Sequence, residues 1–341
     1  MMEVDVPLPP AVINLPWVEK YRPESLSDMI SHEEIIKTLT RFVKSDKLPH
    51  LLFYGPPGTG KTSAILAVVN TMYSDKQRKS MVLELNASDD RGIGIVRDEI
   101  ITFAQTKSLQ RDKETTDLKF VILDEADAMT KDAQNALRRV IEKYTSNVRF
   151  CIICNYLSSI IPAIQSRCTR FRFAPLSTDH ILPKLNYVIT EEKLKVTEDG
   201  KEALLKLSGG DMRRVLNVLQ SVAMASSVID ETSVYECVGQ PTPKHIEKIL
   251  QILMNDSFAS CCRKLQKECG EEGYALVDVL SRLHDVIFQL DLPSEVMVCL
   301  ISALADTEQR LAVGASDRIQ IGGLVGAFMR ARRMIKEIAK R

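Results

Sequence analysis

The rhythm of hydrophobic and polar positions changes about halfway along this chain. From His50 onward, short apolar runs alternate with segments whose apolar residues recur every three or four positions. "LLFY" (51–54), "MVLEL" (81–85), "FVILD" (120–124), "RFCIIC" (149–154) and "RFRF" (170–173) predict strands. "TSAILAVVNTMY" (62–73), "IGIVRDEIITFAQ" (93–105) and "DAQNALRRVIEKY" (132–144) predict helices. The strand runs lack a polar alternation, as strands covered on both faces do. Strand alternating with helix therefore predicts an α/β unit with a parallel sheet between helical layers.

Beyond Pro175 the strand pattern stops. "DHILPKLNYVITEEKL", "EDGKEALLKLS" and "DMRRVLNVLQSVAMA" read as helices parted by turn residues, and "GQPTP" (239–243) is the clearest linker. More amphipathic helices follow to Arg341. The pattern thus predicts an α/β domain over 15–174, a small helical domain over 175–238 and an all-α domain over 239–341, behind an acidic, proline-broken arm (1–14) expected to be flexible.

Composition narrows the setting. Of 341 residues, 45% are apolar and 26% charged, and Lys plus Arg (45) equal Asp plus Glu (45). That suits a multidomain globular protein, and any nucleic-acid contact has to come from local charge. No apolar run is long enough to span a membrane. The N-terminus lacks a basic region before an apolar core, so no secretory signal is expected. Eight cysteines without export suggest reduced thiols. Cys151 and Cys154 form a lone CxxC; residues three apart on a strand face opposite sides, which favours packing over shared metal ligation.

The chemistry lies in the loops between these elements. "GPPGTGKT" (55–62) fits G-x-x-x-x-G-K-[ST] between a strand and a helix. Gly55, Gly58 and Gly60 let the backbone turn its N–H groups toward phosphate, with Pro56, Pro57 and Thr59 in the same loop and Ser63 just beyond it. Lys61 is placed for the β- and γ-phosphates and Thr62 for Mg²⁺. "FVILDEAD" (120–127) supplies the acidic partner. Asp124 suits a magnesium shell and Glu125 the polarisation of an attacking water. An acid pair opening a helix is also favourable capping, and the upstream loop decides for chemistry. No guanine-type N-K-x-D follows the sheet, which favours ATP.

The phosphate loop, "DEAD", "CNY", "SRC" and "GGDMRR" together resemble the AAA+ ATPases. "LPWVEKYRP" (15–23), "LNASDDRGI" (85–93) and "ALRRVIEKY" (136–144) narrow the resemblance to the small subunits of replication factor C. It is dense from about Asn14 to Leu219 and more diffuse beyond. It implies an AAA+ core, a helical lid and a C-terminal collar joining a heteropentamer. Such an assembly opens the sliding clamp PCNA and loads it onto primer–template DNA in replication and repair, in the nucleus.

The resemblance also assigns residues. Val18, Tyr21, Arg22 and Pro23 lie where the family cradles adenine, although the segment alone reads equally as a packed strap. Asn155 matches a γ-phosphate sensor, against the alternative of a strand-ending turn residue. Arg213 matches a second sensor on the lid, with Arg214 as its confounder. Arg91 and Arg97 match contacts to the DNA backbone, although the flanking acids would suit a salt-bridged face. Arg167, in "QSRCTRF" (165–171), matches the family's arginine finger, which completes an adjacent subunit's ATP site in trans. A structural scaffold with little turnover and a self-assembling hexameric helicase motor are the rival readings.

Overall fold

The computed structural model describes residues 15–45, 47–88, 94, 99–106 and 118–338. The expected arm lies outside them. The chain divides into two compact units, one built on residues up to Leu194 together with Leu204–Gln220, the other on Lys195–Ala203 and Ser221 onward. The stretch read from sequence as one small helical domain is thus shared between the two.

The first unit is built on five strands: β1 (Leu51–Tyr54), β2 (Val82–Asn86), β3 (Lys119–Asp124), β4 (Val148–Cys154) and β5 (Thr169–Arg172). Their order is β2-β3-β4-β1-β5, and every pairing is parallel. Successive side chains on one strand serve two different cores. Leu51, Phe53, Ile122, Cys151 and Ile153 pack with Ala64, Ile65 and Val68 of the Lys61–Met72 helix. Leu52, Val121, Leu123, Phe150, Ile152 and Cys154 pack with Leu137 and Ile141 of the Lys131–Tyr144 helix. This is why β1, β3 and β4 read as apolar runs, while the edge strands β2 and β5 carry exposed polar residues. Cys151 and Cys154 fall on opposite faces, and burial raises both thiols, that of Cys154 to about 12.

Local chemistry sets the helix starts. Thr130 caps the Lys131–Tyr144 helix by accepting from the Ala133 N–H at 3.2 Å. The Lys61–Met72 helix starts instead from Gly60 at φ +93°, with no side-chain cap. Its first N–H groups stay uncapped by side chains at the end of the phosphate loop.

The second unit is helical. Gly239, left-handed at φ +70°, ends the Glu231–Val238 helix, and Thr242 caps the Pro243–Asn255 helix. The linker read as "GQPTP" is one stop signal followed by one start signal. Helices Phe258–Glu272, Leu276–Gln289, Ser294–Ala312 and Asp317–Ile338 complete a core around Leu253, Leu265, Leu283, Leu300 and Phe328. In the basic stretch "RARRMIK", Arg332 donates to the Asn255 and Asp256 carbonyls, closing the end of the Pro243–Asn255 helix. Among the described residues no helix is long and apolar enough to cross a membrane.

Candidate active site

The parallel sheet brings the C-terminal ends of its strands together, and Lys61, Asp124, Glu125 and Asn155 gather there. The phosphate loop follows β1, Asp124 ends β3 and Asn155 follows β4. The loop's shape admits no side chain at two positions. A Cβ on Gly55, at φ +144°, would overlap the Phe173 carbonyl oxygen, and one on Gly58, at φ +67°, would overlap the Asp211 carboxylate.

Lys61 is only 7% exposed. Its ammonium donates to the Gly55 and Pro56 carbonyls, both at 2.8 Å, and to Asn155 Oδ1 at 3.1 Å. Burial pushes its pKa down from the ordinary lysine value, while the charge of Asp124 opposes that shift. Pro56 and Pro57 form the exposed turn of the loop, and Thr59 closes it by donating to the Pro56 carbonyl at 2.9 Å. Thr62 donates through Oγ1 to Asp124 Oδ2 at 2.8 Å. A hydroxyl and a carboxylate oxygen thus face each other beside the loop, a donor pair suited to a hard divalent cation.

Glu125 adopts φ +52°, a left-handed backbone that costs a non-glycine residue about 1–3 kcal/mol. Its N–H donates to Asp124 Oδ1 at 2.8 Å, and its side chain is exposed. The strained turn aims two consecutive carboxylates differently: Asp124 toward Thr62, Glu125 toward solvent. The Asn155 N–H donates to Asp127 Oδ2 at 3.4 Å, which ties the end of β4 to the turn after β3.

A cleft of about 780 Å³, open mouth included, adjoins the loop. Gly58, Thr59, Gly60, Thr62 and Ser63 form one wall; Val18, Tyr21, Arg22 and Pro23 form another; Arg213 lines a third. The segment that sequence left open between cradle and strap packs as a strap along the cleft and lines it. Arg213, not Arg214, lines the cleft.

Sequence reasoning missed Asp211. Its Oδ1 accepts from the N–H groups of Arg213 (2.8 Å) and Arg214 (3.2 Å), capping the Met212–Ala225 helix, while the Met212 N–H donates to the Gly58 carbonyl at 3.2 Å. One acidic residue therefore caps the helix that carries Arg213 and abuts the phosphate loop. The aspartate directly before a helical run in "GGDMRR" is a capping signal that could have found it. Also missed were Met29, Ile30, His180 and Lys184 on the cleft wall, which belong to no motif.

Arg167 stands elsewhere. It precedes β5, whose Thr169 is level with Leu51 at the start of β1, so it lies at the end of the sheet opposite the phosphate loop. Its guanidinium pairs with Glu142 and donates to the Ala163 carbonyl at 2.6 Å. Arg91 and Arg97 lie outside the described residues.

Comparison with known proteins agrees with this geometry. Residues 51–176 match the model of the ATPase family associated with various cellular activities (AAA), and residues 241–327 match the replication factor C C-terminal domain. The chain is 57% identical over 331 residues to the probable replication factor C subunit 5 of Caenorhabditis elegans, covering 95% of this chain and 90% of the relative. It is 51% identical to replication factor C subunit 5 of Homo sapiens (98% and 97% covered) and 47% identical to replication factor C subunit 3 of Saccharomyces cerevisiae (92% and 93% covered). The fold is also that of a RuvB point mutant from Thermotoga maritima, with a TM-score of 0.52 at 16% identity, over 72% of this chain and 86% of that one. With the nucleotide-type loop, its acidic strand end and the helical C-terminal unit in place, the chain belongs to the replication factor C family of AAA ATPase subunits.

Proposed function

We propose that this chain hydrolyses ATP as one subunit of a heteropentameric clamp loader, which opens the sliding clamp PCNA and sets it on primer–template DNA, and that Arg167 serves the ATP site of an adjoining subunit. The observation that carries the last part is topological. β5 runs parallel to β1, Thr169 pairs with Leu51 and Arg172 with Tyr54, and the loop begins at Gly55. The length of the strand, about 13 Å, lies between Arg167 and the start of its own loop, further than an arginine side chain spans. An arginine finger there is suited to a second chain's phosphates.

Within the chain, Lys61, the loop N–H groups and the start of the Lys61–Met72 helix form the positive cradle for the triphosphate. Thr62 and Asp124 would hold Mg²⁺, which supplies charge neutralisation when bound. Glu125 takes the proton of the attacking water, its exposed carboxylate held on the strained turn. Asn155, bonded to Lys61, offers an amide that responds to the γ-phosphate. Val18, Tyr21, Arg22 and Pro23 enclose the base, and Arg213 closes over the phosphates from the lid. Arg91 and Arg97 are proposed to follow the DNA backbone. Val298 (68% exposed), Val313 (85%) and Ile319 (71%) leave apolar surface on the helical unit, which suits a collar that buries it against other subunits.

Native mass spectrometry of the chain alone and with the other replication factor C subunits tests this reading. A pentamer containing one copy of this chain is expected. A homohexamer that hydrolyses ATP unaided would overturn it in favour of a self-assembling motor.

A further inference from the structure

The wall that faces the base is not part of the core by sequence neighbourhood. The Trp17–Lys20 turn and Tyr21 reach the cleft from the N-terminus and are fastened to the far side of it. The Trp17 N–H donates to Gln220 Oε1 at 3.0 Å, on the Met212–Ala225 helix. The Tyr21 hydroxyl donates to Glu192 Oε1 at 2.6 Å, and the Lys20 ammonium reaches the same oxygen at 2.6 Å. Glu192 is the residue that ends the Thr178–Glu191 helix, which brings His180 and Lys184 to the cleft. On the same helix Tyr187 meets the Tyr21 ring edge-on, centroids 6.1 Å apart, and the Lys184 ammonium lies 5.9 Å from the centre of the Tyr21 ring.

The two partners of Glu192 are unequal. The Lys20 side chain is 50% exposed, so that pair is screened and worth little. Tyr21 is only 9% exposed. The Tyr21 ring is buried and its hydroxyl part-buried, so its charge-assisted bond to the carboxylate is the better ordered half of the arrangement. The position of the Tyr21 ring is therefore set by a residue that itself does not line the cleft.

We propose that Glu192 is a positioning residue for the nucleotide, latching the N-terminal strap to the Thr178–Glu191 helix so that Tyr21 forms a fixed wall for the base. The latch rests on the reading of this end of the cleft as the adenine pocket. It acts on the base and not on the phosphates, because Lys61, Thr62 and Asp124 are held by bonds of their own that involve neither Tyr21 nor Glu192.

The test is calorimetric titration of the full chain, with Mg²⁺, against ATP, ADP and inorganic tripolyphosphate. Glu192→Ala should weaken ATP and ADP about tenfold, near the low end of what a lost charge-assisted hydrogen bond is worth, and leave tripolyphosphate within about twofold. Tyr21→Phe, which keeps the ring, should match it. The double variant should lose no more than either, since both break one bond. Glu192→Gln keeps an acceptor for Tyr21 and should restore affinity to within about twofold of the parent. Wild-type ATP affinity in Glu192→Ala overturns the latch, and so does a parallel loss of tripolyphosphate, which would locate the damage in the loop or the fold. A parent chain that binds tripolyphosphate as tightly as ATP would instead remove the base-pocket reading beneath it.

Discussion

Lys61 and Arg167 are cations at opposite ends of the same sheet, and they are held in opposite ways. Lys61 is buried, fixed by two backbone carbonyls and one amide. Arg167 is about one-third exposed, joined to Glu142 on the surface. A cation fixed within its own loop is preorganised for a phosphate delivered to that loop. A cation in a screened surface pair can exchange its partner at small cost, as a group that serves another chain must. The contrast separates a residue's catalytic competence from its membership of a site: in the proposed assembly one chain would carry parts of two.

The strongest way to break this contrast is Arg167→Ala. Hydrolysis at the one neighbouring site should fall on the order of 10³-fold, while ATP binding by the variant chain stays unchanged. The measurements are ATPase rates of the assembled complex with clamp and primed DNA, and nucleotide titration of the chain alone. Parent-level hydrolysis, or lost binding in the chain's own loop, would mean the two ends do not differ as described. Lys61→Ala should show the reverse. ATP affinity of the chain itself should drop about 10- to 100-fold, as expected when a charge-assisted contact is removed. The adjoining subunit's affinity should not change.

His50 sharpens the contrast through stability. It stands just before β1, at the Arg167 end, where its Nδ1 accepts from the Phe150 N–H at 3.2 Å and its carbonyl accepts from the Thr169 N–H at 2.8 Å. Burial first, and then the charge of Arg149, lower its pKa to about 4 from 6.5. The unfolded chain therefore binds the extra proton between these values. The contribution is complete above pH 6.5 and is lost as pH falls toward 4, up to about 3 kcal/mol. Urea unfolding at about pH 7 and about pH 5 should show a smaller loss in His50→Gln than in the parent. Equal losses would exclude His50 as the cause. The smallest effect is expected from Glu142→Ala. Removing a surface partner should change stability by less than about 1 kcal/mol and leave assembly turnover within about twofold. A tenfold fall in turnover would show that Glu142 aims Arg167, and that the surface pair is more than an interchangeable contact.

These contrasts also mark what could be read from sequence. Strands β1, β3 and β4 were legible because burial on both faces writes itself as an apolar run, and the edge strands β2 and β5 from shorter apolar signals beside them. Lys61, Thr62 and Asp124 were legible because their loops carry glycine and acidic signals at fixed spacing. The Glu33–Lys44 helix went unread: His32 precedes it with a left-handed backbone and no capping side-chain bond, so it lacks a start signal. The polar Asp75–Met81 helix has no apolar stripe to announce it. The wall of the cleft was hidden for another reason. Tyr21 and Glu192 are 171 positions apart, and no local period encodes such a pair. Arg167 was assigned chiefly by resemblance, and the parallel register of β5 with β1 adds a geometric reason why it does not serve its own loop.

The contact between Gly58 and Asp211 has a consequence for engineering. Because the space over Gly58 is filled by the carboxylate that caps the Met212–Ala225 helix, position 58 couples the shape of the loop to the seating of that helix. Even Gly58→Ala would set a methyl group against the Asp211 carboxylate on a left-handed backbone, so any side chain there should disturb both the loop and the start of the Met212–Ala225 helix. One missing methyl group thus serves two elements at once, the turn of the loop and the helix that carries Arg213.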